Sequence, residues 1–420
     1  MKKYFLAIAS FFIYSHISLG QVYPGQMDST FVPVRSHHYD PELTFDFCVN
    51  EPAWSNQAGI HSAFGSTDRL YFRKEVPVNH DNDLSSSYST TVWRGERANA
   101  QILVWSSEAL EQVRVSTQDL RSAEGNIIPK DRITFELVRY VLSNYPYAEK
   151  KAICGESPYK SGFLMPDRFE TLDRFDLPSQ TTRPVWMMVD VPRGTVPGTY
   201  KGQVEVRAKG KAPQLLNLEI VVQNQLLPYP KDWKYRLDLW QNPWAVAWYN
   251  HVEPWSPEHK MLLKQHLKHY ADAGGTYITT YGVHSPWSDN SYMIEGGMIE
   301  WIKKADGTWA FDYKIFDEYV ELAMECGIDE AITLYTPIPW GFRHRYKDEA
   351  TGDYSYINWA PSSEEFKKMW NIFLTDFKFH LEAKSWLDIT YIGINENPME
   401  ETLAAINVVR NHDKCWKITY

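Results

Sequence analysis

The chain has 420 residues, 44% of them hydrophobic, with a formal net charge of −10 and a pI near 5.7. That length leaves room for two domains, and the acidic balance excludes nucleic acid as a natural partner, since a phosphate backbone selects a basic surface. After the first twenty residues no run approaches the roughly 18 uninterrupted apolar residues of a membrane-spanning helix.

Met1 to Gly20 pairs Lys2 and Lys3 with an apolar run from Tyr4 to Leu19 and closes on the small residues Ser18-Leu19-Gly20. This pattern predicts a secretory signal peptide and an exported, periplasmic or secreted protein. No cysteine stands at the cleavage point, so a lipoprotein anchor is not indicated. The four cysteines, Cys48, Cys154, Cys326 and Cys415, show no paired metal-binding spacing. Export leaves a Cys48–Cys154 disulfide open, whereas Cys326 and Cys415 read as small hydrophobes at the edge of a core. The aromatic content, 15% with 17 Trp and 26 Tyr, tilts toward carbohydrate, whose pyranose faces pack on aromatic rings, although large cores also use such residues.

Residues 21–229 read as a β-sandwich domain. Short alternating runs at Ala100 to Trp105, Gln112 to Ser116, Ile133 to Val141 and Pro184 to Val191 are separated by turn residues. Val196-Pro197-Gly198-Thr199-Tyr200-Lys201-Gly202 predicts a hairpin turn running into Gln203 to Arg207, and Leu215 to Val222 alternates again. Trp93-Arg94-Gly95-Glu96 reads as a turn with a structural Glu. Leu227 to Trp233, with Pro228 and Pro230, reads as a linker.

From residue 230 the periodicity changes. Strands are predicted at Arg236 to Trp240, Thr276 to Tyr281, Ala331 to Tyr335, Ile389 to Ile394 and Trp416 to Tyr420. Helices lie between them, the first opening at Ser256-Pro257-Glu258 and stopped by Gly274 and Gly275. Asp312 caps the next, whose stripe is Phe316, Tyr319, Val320 and Ala323. Ser362-Ser363-Glu364-Glu365 starts a helix with the stripe Phe366, Met369, Trp370, Phe373, Phe377 and Leu381, and a last helix runs from Met399 to about Asn411. Alternation of this kind predicts a parallel sheet with right-handed crossovers. The long aromatic loops after strands one to three suggest a (β/α)8 TIM-type barrel, whose site lies at the carboxyl ends of its strands. With five strands over 230–420 that barrel is incomplete, and an open flavodoxin-like sheet is the alternative.

The catalytic candidate is Glu396. The strand Ile389 to Ile394 ends in Asn395-Glu396, and a Glu at a strand's carboxyl end faces the ligand crevice, where it can act as general acid or base. No Ser-nucleophile elbow, Gly-rich phosphate loop or H-E-x-x-H motif is present, and the 13 histidines are scattered, so neither a cofactor nor a metal is expected. Glu396 is expected to be enclosed by the aromatic loops. Trp240, His284, Trp287, Tyr335 and Trp340 occupy the loops and strand ends that would face a sugar, while Asp238, inside the first strand, reads as structural.

Leu237-Asp238-Leu239-Trp240-Gln241-Asn242-Pro243, His284-Ser285-Pro286-Trp287, Ile338-Pro339-Trp340 and Asn395-Glu396-x-Pro398 resemble glycoside hydrolase family 123, and Pro197 to Gly202 resembles its N-terminal sandwich. The resemblance runs from about Trp93 to Tyr420. It implies an exported exo-acting β-N-acetylgalactosaminidase, a retaining enzyme in which the substrate's own acetamido oxygen is the nucleophile. Its acid/base Glu corresponds to Glu396, and its partner is a glycan with a terminal N-acetylhexosamine. The family pattern has Asp before that Glu, where this chain has Asn395, and Arg where it has Asn397. Asn395 can orient the acetamido group by accepting its N–H but supplies no charge to the oxazolinium intermediate. A glycan-binding relative with impaired catalysis, and an inactive truncated fragment, are therefore the alternatives.

Overall fold

In the second half of the chain the apolar stripes form helices that lie against a parallel sheet, and in the first half alternating runs pair into strands. The structure, a computed structural model, describes residues 51–77, 83–143, 163–287 and 296–420, together with the short strands Met27–Asp28, Phe31–Pro33 and Glu42–Leu43. The predicted signal peptide, Cys48 and Cys154 lie outside the described residues. Contacts divide the chain into two units, Met1–Leu227 and Pro228–Tyr420.

The first unit is built from β1 (His61–Gly65), β2 (Ser87–Arg94), β3 (Arg97–Ser106), β4 (Leu110–Thr117), β5 (Ile133–Ser143), β6 (Phe163–Leu177), β7 (Thr181–Asp190), β8 (Gly198–Arg207) and β9 (Gln214–Leu226). They pair in the order β1-β3-β7-β5-β6-β4-β8-β9-β2. β6 is long enough to serve two neighbours: Phe163 to Thr171 run along β5, and Phe175 and Leu177 pair with β4. Alternation puts Ile102, Val104, Val185 and Met187 from one end of that order into the same core as Val113, Val204, Val206, Leu218 and Ile220 from the other. Trp93 to Glu96 is a turn, closed by Glu96, whose carboxylate accepts the Trp93 N–H at 2.7 Å, with Gly95 at φ +85°. The Pro197-Gly198 bend, however, does not join paired strands. It leads from β7 into β8, and the hairpin partner of β8 is β9, reached through the turn at 208–213.

The second unit contains β10 (Tyr277–Tyr281), β11 (Glu300–Lys303), β12 (Trp309–Asp312), β13 (Ala331–Tyr335), β14 (Arg343–Asp348), β15 (Tyr354–Asn358), β16 (Thr390–Gly393) and β17 (Lys417–Thr419). Its helices are α1 (Pro243–Asn250), α2 (Pro257–Asp272), α3 (Lys314–Glu325), α4 (Glu364–Lys384) and α5 (Met399–His412). The strands β10-β13-β16-β17 are parallel, and their spatial order follows their sequence order. Ser256 and Ser363 cap α2 and α4, accepting the N–H groups of His259 and Phe366. Asp312 accepts the Lys314 N–H at 2.9 Å, but the residue at the cap position of α3 is Tyr313. The stripe of α4 is wholly buried, from Phe366 through Leu381.

Two expectations change. The stretch Arg236 to Trp240 forms no strand; a single parallel bridge joins Leu237 to Gly275. Side chains hold it instead: the Tyr270 hydroxyl donates to the Leu237 carbonyl at 2.8 Å and accepts the Leu239 N–H at 3.1 Å, and the Thr279 hydroxyl donates to Asp238. The aromatic loops, in turn, are not plain loops. α1 follows Asn242, and the connections after β10 and β13 each carry a hairpin, which meet as a second sheet ordered β12-β11-β14-β15. Trp301, Trp359, Trp370 and Phe373 pack beneath it.

Candidate active site

Parallel pairing in register sorts the central sheet into two faces. Ile278, Ile332, Leu334 and Ile392 face the helices and belong to the core. Tyr281, Tyr335 and Gly393 stand side by side on the opposite face at the carboxyl ends of β10, β13 and β16, and Asn395 continues that row two residues beyond Gly393. The glycine is required by its neighbours. A Cβ at position 393 would lie 2.9 Å from the Thr333 methyl and 3.0 Å from the Tyr335 ring, so only a bare backbone lets that ring lean across β16.

The ring thereby reaches Asn395, which is 1% exposed. The Tyr335 hydroxyl donates to Asn395 Oδ1 at 2.5 Å, and the backbone N–H of Glu396 donates to the same oxygen at 2.8 Å. The Asn395 N–H donates to Thr336 Oγ1 at 3.2 Å, and Asn397 Nδ2 donates to the Ile338 carbonyl at 3.0 Å. The turn after β16 is thus pinned to the loop after β13. Asn395 Nδ2 is out of solvent and has no hydrogen-bond partner.

Burial pushes the Tyr335 hydroxyl well above its ordinary range; a hydrogen bond from Trp287 opposes this, and the charge of Glu396 adds to it. Tyr335 therefore stays a neutral donor. Trp287 stacks on Tyr335 with ring centroids 4.7 Å apart, and Trp240 packs on both, at 4.9 Å from Tyr335 and 5.5 Å from Trp287. Trp240 is held there from behind, by the Tyr281 hydroxyl donating to the Gln241 carbonyl at 2.8 Å, yet it is 53% exposed.

Trp240, Trp287, Tyr335, Asn395 and Glu396 are therefore brought together. Trp340 is placed through its backbone, its N–H donating to the Pro286 carbonyl at 2.9 Å. His284 is not part of the group. It lines a cavity of about 740 Å³ with Trp255, Glu300, Arg345 and Tyr354, a lining that includes none of those five residues. Desolvation, with Arg345 and Arg343 adding, holds its imidazole down to about 4. Glu396 is also not enclosed: it is exposed, and its carboxylate has no hydrogen-bond partner among the described residues. Asp238 accepts from Thr279, and burial raises its carboxyl above the ordinary range. Thr336, Gln241 and Gly393 were missed in the sequence, because each acts through its backbone or a short hydroxyl that no spacing marks. Among the described residues no group of His, Cys, Asp and Glu is placed to hold a metal ion.

Residues 240–420 match the model of the glycoside hydrolase 123 catalytic domain, and residues 64–208 match that of the glycoside hydrolase 123 N-terminal domain. The chain belongs to glycoside hydrolase family 123. A solved family 123 glycoside hydrolase from Clostridium perfringens, described for glycolipid glycan hydrolysis, is 26% identical, with a TM-score of 0.74 over 84% of this chain. The present chain spans 61% of that enzyme's length. A Bacteroides ovatus family 5 xyloglucanase aligns over 79% of this chain and 61% of its own at 10% identity, but its TM-score of 0.21 carries no argument. No curated protein matches the sequence. Within family 123, the matched catalytic region begins at Trp240 and contains every residue of the aromatic and Asn395-Glu396 cluster.

Proposed function

We propose that this family 123 chain acts on glycans ending in β-linked N-acetylgalactosamine, with Glu396 as general acid and base. The observation that carries this reading is the exposed Glu396 carboxylate, without a hydrogen-bond partner at the carboxyl end of β16, beside rings of which Trp240 is open to solvent. In the proposed step the acetamido oxygen of the sugar forms a bond to the anomeric carbon while Glu396 protonates the departing glycosidic oxygen. The carboxylate then takes a proton from the water that opens the oxazolinium, and configuration is retained. A glycolipid glycan, the substrate class of the Clostridium perfringens relative, is the natural first choice.

The same reading includes a sandwich in the first unit, supported by the single core shared between the two ends of its strand order, and a barrel-type second unit. Strands that follow one another in space without reversal suit a barrel, whereas a doubly wound sheet reverses its order. It also includes export through the first twenty residues, which N-terminal sequencing of the secreted product tests.

A second reading is favoured by Asn395: a glycan-binding relative that retains the pocket but lacks the carboxylate beside Glu396. Hydrolysis of an aryl β-N-acetylgalactosaminide separates the two. Turnover that falls by about 10²–10⁴ in Glu396→Gln is the expected result, and turnover unchanged by that substitution removes Glu396 from the mechanism. Sugar binding with no turnover in either chain decides for the binding relative.

A further inference from the structure

The polarity of Asn395 is fixed by its surroundings. A backbone N–H meets only an acceptor, so the Glu396 N–H at 2.8 Å identifies the near atom as Oδ1 rather than Nδ2. The Tyr335 hydroxyl occupies the second lone pair of that oxygen at 2.5 Å. Burial keeps Tyr335 protonated, so it remains a donor. Asn395 therefore has no lone pair left with which to accept a ligand N–H, and its unsatisfied group is the buried Nδ2 donor. An amide donor left without a partner in a dry site is costly, and the group that would relieve it is a hydrogen-bond acceptor.

From this, and resting on the reading of the cluster as a sugar site, we infer that Asn395 donates from Nδ2 to the carbonyl oxygen of the sugar's 2-acetamido group. The polarity is the reverse of that expected from the sequence, where Asn395 was to accept the acetamido N–H. Donation to the carbonyl draws electron density from the atom that attacks the anomeric carbon. The residue thus strengthens binding while it slows acetamido participation. Because Nδ2 is covered in the unliganded chain, the sugar reaches it by displacing a ring. Trp240, half-exposed and packed on Tyr335, is the ring placed to move.

The test is calorimetric binding of free N-acetylgalactosamine in the Glu396→Gln background, which blocks turnover and removes the neighbouring carboxylate; Tyr335 and Tyr420 are then the titratable groups facing the site. Adding Asn395→Asp should weaken binding about tenfold or more at pH 7, since an ionised carboxylate cannot donate. Binding should recover as the pH falls toward 4.5 and the new carboxyl gains its proton. Equal or tighter binding by the Asp variant at pH 7, or no response to pH, overturns the inference. In the unmutated chain 2-deoxygalactose should bind about tenfold more weakly than N-acetylgalactosamine; equal affinities also overturn it, and this comparison stands if the Asp variant does not fold. Absence of binding to either sugar by the unmutated chain instead refutes the sugar site itself.

Discussion

The aromatic seam under α4 and the aromatic cluster at the strand ends are made of the same residue types on opposite faces of one sheet, and they are finished differently. Under α4, Phe366, Trp370, Phe373 and Phe377 are fully buried, and the polar atoms among them are paired. His344 accepts the Trp370 indole N–H at 3.3 Å on Nε2 and places Nδ1 3.0 Å from the Phe342 carbonyl, which fixes one neutral tautomer. At the strand ends Trp240 is half-exposed, Glu396 stands free, and Asn395 keeps a buried donor without a partner. Aromatic content alone does not distinguish a core from a sugar site. Unfinished polar chemistry does, because a core has no reason to leave a donor unmade.

The comparison breaks first in the seam. Phe373→Ala removes a fully buried ring packed on Trp301, Trp370 and Phe377 and should cost about 3–5 kcal/mol, read as a fall in the urea midpoint. A change within ±0.5 kcal/mol would mean that the seam is not the core of the second unit.

The next effect is acid sensitivity. Desolvation holds His344 down to about 4, against an unfolded value near 6.5. Between those values the unfolded chain binds the proton and the folded chain does not. His344 therefore contributes nothing to pH dependence above 6.5, and stability falls as pH drops from 6.5 to 4, by about 3 kcal/mol if the whole shift is realised. His284, also held down to about 4, acts with the same sign. Urea midpoints measured against pH should lose much of this slope in His344→Asn, and an unchanged slope would assign it to other groups.

The smallest effect on stability belongs to the site. Trp240→Ala touches an exposed ring and should change the midpoint by no more than about 0.5 kcal/mol, while sugar affinity drops measurably by calorimetry. If stability falls and affinity holds, Trp240 belongs with the core and the contrast between the two clusters disappears.

The sequence made the helices and most of the parallel strands legible, since apolar spacing, capping serines and terminating glycines act within a few residues of each other. It misread Arg236 to Trp240, because the alternation there is real but the hydrogen bonds go to Tyr270 and Thr279, distant in the chain. It did not reveal the second sheet, since β11 and β14 find each other across some forty residues. The site was legible in part: Trp240, Trp287, Tyr335, Asn395 and Glu396 converge, and all five were selected by their position at strand ends. His284 was selected by the same rule and faces another cavity, because the direction of a side chain within a loop is set by what packs around it.

What the sequence by itself determined was local: which segments are helices, which face of each is apolar, and that a Glu follows Asn at the end of a strand. Tertiary structure alone decided what Asn395 can do. Its amide has a donor end and an acceptor end, and the sequence does not say which one faces a ligand. The Glu396 N–H and the Tyr335 hydroxyl, the latter sixty positions away in the chain, consume the acceptor end. Only the geometry that brings them together leaves the donor.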